Sequence, residues 1–126
     1  MGDGTLRIWN VKAGTEAGTL TGHQGAVYAC TYSPDGSSIV SGAEDGTLKI
    51  WDAEAGEETA TLVGHSAGVV ACAYSPCGQR IASTAVDELK MWDTATSTEV
   101  YTKSTSFRRP VACSFSPDGR YIIAAE

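Results

Sequence analysis

The chain has 126 residues, 42% of them hydrophobic and 19% charged, enough for one ordinary domain that buries roughly 65–70% of its unfolded surface and too apolar for disorder. A formal charge of −6 and a pI near 4.8 remove any global attraction to phosphate backbones or anionic lipid, so neither nucleic acid nor membrane is expected as a partner. No apolar run approaches the ~20 residues that span a bilayer, and Met1-Gly2-Asp3-Gly4 lacks the basic and apolar regions of a signal peptide.

In chain order, the Asp3-Gly4 turn leads into a strand over Leu6–Asn10, and Ala13-Gly14 turns the chain into a weaker strand over Thr15–Leu20. After Gly22-His23 a strand runs from Val27 to Ser33. Cys30 and Tyr32 share one face of it by period-2 alternation, while Val27 is out of step and predicts a bulge near the strand start. Ser33-Pro34-Asp35-Gly36 is a strong turn, because Pro sets φ and Gly accepts a positive one. Strands over Ser38–Gly42, Leu48–Asp52 and Glu57–Leu62 follow. The next unit repeats the order: Gly64-His65, then Val69–Ser75, Arg80–Ala85, Leu89–Asp93 and Glu99–Lys103. A third begins with Thr105-Ser106 where Gly-His is expected, then continues as Val111–Ser116 and Tyr121–Ala125. Short strands at regular spacing between Gly and Pro turns predict an all-β fold of hairpin-connected antiparallel strands.

The octapeptide Asp45-Gly46-Thr47-Leu48-Lys49-Ile50-Trp51-Asp52 recurs as Asp3-Gly4-Thr5-Leu6-Arg7-Ile8-Trp9-Asn10, and as Asp87-Glu88-Leu89-Lys90-Met91-Trp92-Asp93 with one residue fewer. Trp9, Trp51 and Trp92 stand 42 and 41 residues apart. A period of about 40–45 residues with Gly-His and Trp-Asp signatures is that of a β-propeller blade, and the chain resembles the WD-repeat family. Cys30, Cys72 and Cys113 follow the same period, which predicts the inner surfaces between sheets, where a free Cys acts as a small hydrophobe. Cys77 replaces the turn aspartate found at Asp35 and Asp118. No Cys-x-x-Cys occurs, so no metal is expected, nor any cofactor, and unpaired thiols suit a reducing, cytoplasmic setting.

His23, Ser41, Asp45 and Trp51, and again His65, Ser83, Asp87 and Trp92, could be taken for two catalytic triads. Neither serine has the Gly-x-Ser-x-Gly elbow of a nucleophile, and a site duplicated at one offset per repeat points to architecture. No catalytic residue is assigned. The resemblance implies instead a structural tetrad in each repeat, a buried hydrogen-bonded chain from Trp to Ser to His to Asp. Such a chain stabilises only when every member is satisfied.

By the same resemblance the chain divides into a half blade over residues 1–20, blades over 21–62 and 63–103, and a half blade over 104–126. Two blades and two halves fall short of the 4–8 that close a ring. A partial propeller, a piece of a longer one, or a ring completed by homo-oligomerisation are the expectations. The family's top-face contact positions fall on Ala26, Tyr28 and Glu44, then Gly68, Val70 and Val86, then Arg109 and Val111, with Pro110 in place of the valine. The function this implies is a non-enzymatic scaffold binding a protein or peptide through that face. Alternatives are a structural subunit of a cytoskeletal or ciliary assembly that uses blade edges, and a regulatory repeat fragment of a larger NTPase signalling protein. The chain itself contains no Gly-x-x-x-x-Gly-Lys-Ser/Thr phosphate loop.

Overall fold

The structure, a computed structural model, describes residues 4–126; Asp3 of the first octapeptide lies outside them. Twelve strands follow in order: β1 (Thr5–Asn10), β2 (Thr15–Thr21), β3 (Val27–Tyr32), β4 (Ser38–Ala43), β5 (Thr47–Asp52), β6 (Glu58–Val63), β7 (Ala71–Tyr74), β8 (Arg80–Ala85), β9 (Glu88–Asp93), β10 (Thr98–Ser104), β11 (Ala112–Phe115) and β12 (Ile122–Ala125). They form two four-stranded antiparallel sheets, β3-β4-β5-β6 and β7-β8-β9-β10, and two two-stranded ones, β1-β2 and β11-β12. These are two whole blades flanked by two halves, and no closed barrel forms.

Side chains close several of the turns. Asp35 Oδ1 accepts the Ser33 hydroxyl at 2.7 Å and the Ser37 amide at 3.0 Å, while Gly36 takes φ +76°, so the Ser-Pro-Asp-Gly segment closes an Asx turn onto β4. The residue after each repeat's tryptophan does the same at the end of β5: Asp52 Oδ1 accepts the amides of Glu54 at 2.9 Å and Ala55 at 2.8 Å. Asp93 and Asn10 play that part for Ala95 and Ala13. The aspartate of Trp-Asp is therefore a turn former.

The bulge expected near Val27 is present. Val27 pairs with Ala43 and Ala29 with Gly42, which leaves Tyr28 as the extra residue. A second bulge recurs opposite every tryptophan. Ala17, Thr59 and Val100 are the unpaired residues between Gly18 and Glu16, Ala60 and Glu58, and Tyr101 and Glu99. A bulge raises local twist, and its recurrence at the repeat period gives all three outer hairpins the same curvature.

The core lies between sheets. Val40, Leu48, Ile50 and Leu62 of the first blade pack with Val69, Cys72, Ile81 and Trp92 of the second, and Leu6 and Leu20 of the first half blade pack with Ile39 and Trp51. The blades approach closely at Gly42, where a Cβ would lie 2.5 Å from Val69 Cγ1; only glycine admits the valine. The half blades lack such cover. Trp9 is 60% exposed although Trp51 and Trp92 are each 1% exposed, and Ile123 is 71% exposed where its counterpart Val40 is fully buried.

The cysteine expectation holds for Cys72, which is buried, but Cys113 is only half-buried and Cys30 is exposed. Cys30 looks onto a shallow space lined by Leu6, Ile8, Trp9 and Leu20. The sheet on that side has two strands rather than four, so the described residues leave the position uncovered. Burial pushes the Cys72 thiol far above its ordinary range and Cys113 to about 11. All four cysteines are free.

Candidate functional site

In the first blade a chain of polar contacts links four side chains. Trp51 Nε1 donates to Ser41 Oγ at 2.9 Å, Ser41 Oγ lies 2.7 Å from His23 Nε2, and His23 Nδ1 lies 3.4 Å from Asp45 Oδ2. Ser41 is fully buried and the His23 side chain has no exposed surface. One proton arrangement satisfies every member: the indole donates to the serine, the serine to Nε2, and Nδ1–H to the carboxylate, with a neutral imidazole. Burial lowers the His23 pKa, against the opposing pull of Asp45. Burial also opposes ionisation of Asp45. The Thr47 hydroxyl and the amides of Gln24 and Thr47 outweigh it and bring the carboxyl to about 2.

The second blade departs from the sequence expectation. Trp92 Nε1 donates to Ser83 Oγ at 2.8 Å and Ser83 Oγ lies 2.6 Å from His65 Nε2, but the carboxylate facing His65 Nδ1, at 2.6 Å, is that of Glu88. Asp87 stands instead in the turn at φ 63°, its backbone amide donating to Phe107 O and its carbonyl accepting from Thr105 N. The cause is the missing residue. In the first blade Glu44-Asp45-Gly46 joins β4 to β5, whereas only Val86-Asp87 separates the directly paired Ala85 and Glu88. The shorter turn withdraws Asp87. The next position is already beside the ring in the first blade, where Thr47 Oγ1 lies 3.5 Å from His23 Nδ1. In the second blade it carries the carboxylate.

Neither constellation has the geometry of a nucleophile. Each serine oxygen is fully buried and occupied on both sides, by indole and imidazole, so a substrate has no approach to it.

A second polar unit escaped the sequence reading. Lys49 Nζ lies 3.0 Å from Glu58 Oε1 and donates to Thr61 Oγ1 at 3.0 Å; Lys90 Nζ does the same to Glu99 and Thr102 at 2.8 and 2.7 Å. Arg7 and Glu16 pair at 2.7 Å at the equivalent positions of the first half blade. The signal was present, since these residues keep the tryptophan period. This unit also explains the glycine of Gly-His: a Cβ on Gly22 would lie 3.0 Å from Glu58 Oε1 and 3.1 Å from Trp51 Cη2.

Of the eight expected contact residues, four meet at one place. The β3 bulge releases Tyr28 outward, and its hydroxyl donates to Glu44 Oε2 at 3.0 Å; that bond to the carboxylate holds the phenol above its ordinary pKa. Glu44 N donates to Ala26 O at 2.8 Å. Gly68, from the loop entering β7, lies so close that a Cβ there would be 3.3 Å from both Tyr28 Cε2 and Glu44 Cα. Val86, Arg109 and Val111 are exposed further along, while Val70 is half-buried with its amide on Thr84 O. The loop carrying Arg109 is tied to the Val86-Asp87 turn through Phe107 and Thr105. At the opposite end of the blades, a cleft of about 670 Å³ is lined by Pro34, Asp35, Tyr74, Cys77 and Thr94 among others. Its one carboxylate is already engaged by Ser33 and Ser37.

Comparison with known proteins agrees with this architecture. A family profile described as WD domain, G-beta repeat, matches residues 14–52 and 56–93. A stretch of 39 residues, 31% of the chain, is 44% identical to Coronin-7 of Rattus norvegicus, of which it spans 4%.

Two outcomes are expected. Ser83→Ala, which leaves a buried indole N–H and an imidazole nitrogen unpaired, should cost about 3 kcal/mol in denaturant unfolding; Glu88→Ala should cost about 1–2 kcal/mol, and Asp87→Asn, which keeps a residue tolerant of positive φ, less than about 0.5 kcal/mol. Equal losses at positions 87 and 88 would contradict the assignment of Glu88.

For pH, both histidines have folded pKa values below their ordinary 6.5, so the unfolded chain binds protons first. Their contribution is complete above pH 6.5 and is lost as pH falls below it. A second loss belongs to Asp45, as pH falls from 3.8 toward 2. Midpoints of urea unfolding measured from pH 8 to 3 should be level at first and then decline below about 6.5; a rise across that range would refute the neutral imidazoles.

Proposed function

The chain belongs to the WD-repeat family, and from that premise we propose that it is a non-enzymatic scaffold holding a protein or peptide against the top face of its blades. WD repeats are in general modules of protein–protein interaction. The observation that carries the top-face reading is the meeting of Tyr28, Glu44 and Gly68 across the boundary between two blades. Tyr supplies amphipathic contact area at small entropic cost, which suits an anchor. Beneath it the Trp–Ser–His–carboxylate chains hold the turns that carry Glu44 and Val86, so the surface is rigid before a partner arrives. Both serines in those chains are sealed, which supports the non-enzymatic reading. Four free thiols suit a cytoplasmic setting.

A double variant tests the reading. Ala26→Lys with Tyr28→Ala places a charge in the rim and removes the anchor without touching the core. It should abolish capture of a top-face partner in affinity purification and leave the thermal midpoint nearly unchanged. Partners retained at wild-type levels would eliminate the top face as the binding surface.

The half blades favour a second contact, of the kind a structural subunit would use. Tyr121, Ile123 and Trp9 are exposed, and among the described residues β12 is hydrogen-bonded on one side only, to β11. By analogy with the β4–β5 pairing, these edges take complementary strands, from a second copy of the chain or from more of a propeller. The chain on its own should therefore self-associate with rising concentration, and Ile123→Lys should weaken that association. Light scattering that shows a monomer at every concentration would count against this contact.

A further inference from the structure

We infer that Tyr28 and Glu44 form a subsite for a basic side chain, lysine or arginine, of the bound peptide. The inference deepens the top-face reading and rests on it.

The geometry is specific. Tyr28 leaves the β3 ladder as the extra residue of a bulge, so its ring stands on the rim instead of in the sheet. Its hydroxyl engages Glu44 Oε2 and fixes the carboxylate beside the ring. Several acids of the two blades already face a basic side chain, and Glu44 does not among the described residues. Glu58 is neutralised by Lys49, Glu99 by Lys90, Glu88 faces His65 and Asp45 faces His23. Among the described residues the one hydrogen bond to the Glu44 side chain comes from the tyrosine hydroxyl, at Oε2, and none reaches Oε1.

Two glycines shape the approach. A Cβ on Gly25 would come within 3.1 Å of Glu44 Oε1, and one on Gly68 within 3.3 Å of Tyr28 Cε2. Side chains at either place would cover the open oxygen or the ring; hydrogen leaves both accessible. A cation between them gains an ion pair with Oε1 and a contact with the electron-rich ring face, which attracts ammonium and guanidinium groups within about 6 Å of its centroid. The formal charge of −6 draws a basic peptide toward the chain from a distance.

A neutral polar side chain could accept one hydrogen-bond partner here but would gain neither charge interaction. An acidic one would face Glu44 directly. The subsite therefore selects on charge as well as on shape.

Panning a phage-displayed library of random dodecamer peptides against the full chain tests this. Enrichment of lysine or arginine is expected among peptides that lose binding to the Ala26→Lys/Tyr28→Ala protein. Glu44→Gln, which removes the ion pair and keeps the ring, should weaken those peptides about two- to fivefold in fluorescence anisotropy, the size of an exposed ion pair. Tyr28→Phe, which keeps the ring and frees the carboxylate, should weaken them less. Top-face peptides without basic residues, or basic ones indifferent to Glu44→Gln, would overturn the subsite and leave top-face binding standing. Peptides that bind the double variant as well as the parent, or no enriched peptide at all, would overturn both.

Discussion

Everything at the rim depends on one buried oxygen per blade. Ser41 Oγ receives the Trp51 indole and reaches the His23 imidazole, and Ser83 does the same for Trp92 and His65. The hydroxyl is small enough to lie within β4 or β8 and is both donor and acceptor, so it joins an apolar ring below to a charged turn above. Any residue that only donates, or only accepts, would leave one neighbour unpaired in a place without water. The interaction specifies relative position more than it adds net stability, since water would satisfy the same groups in the unfolded chain. It aligns three separate segments: the strand with the serine, the strand with the tryptophan and the loop with the histidine.

The two blades reach this result by different routes. With a three-residue turn the acid is Asp45, anchored by its own turn amides; with a two-residue turn it is Glu88, the first residue of the following strand. The longer side chain spans what the shorter turn withdraws. A carboxylate at the imidazole is thus conserved in position within the molecule while the residue supplying it changes, because the geometric requirement is an acceptor at Nδ1 and not a particular place in the sequence.

This also marks the limit of reading the chain from its letters. Turn chemistry and two-residue alternation located every strand, and the misplaced Val27 announced the bulge that frees Tyr28. The register of the deletion was not legible, because Asp87 and Asp45 align by identity while backbone closure puts Glu88 at the ring. Lys49, Glu58 and Thr61 were visible at the repeat period, yet charged residues at strand positions read as solvated faces until the sheet brings them together. The exposure of Cys30 needed the neighbouring sheet: periodicity assigns a strand face, and whether another sheet covers it is a matter of tertiary structure. Ser106 and Ala124 tell the same story from the other side, since the last half blade has neither the histidine nor the serine of the chain found in whole blades.

The close approach of Gly42 to Val69 has a consequence for how the molecule opens. That contact stitches the two whole blades into one unit, with a half blade on each outer side whose large side chains are incompletely covered. Stability in such a stack is a sum of each layer and its junctions, so the flanking layers have the weakest claim to order and the joined pair the strongest. Thermal fluctuations should then peel the structure from its two outer sheets inward, and amide protons of β5 and β8, each in the middle of a four-stranded sheet, should be the last to exchange with solvent. Tyr28 and Glu44 belong to that joined pair, at the rim where β3 begins and β4 ends, so the proposed binding surface lies on the part of the molecule that should move least.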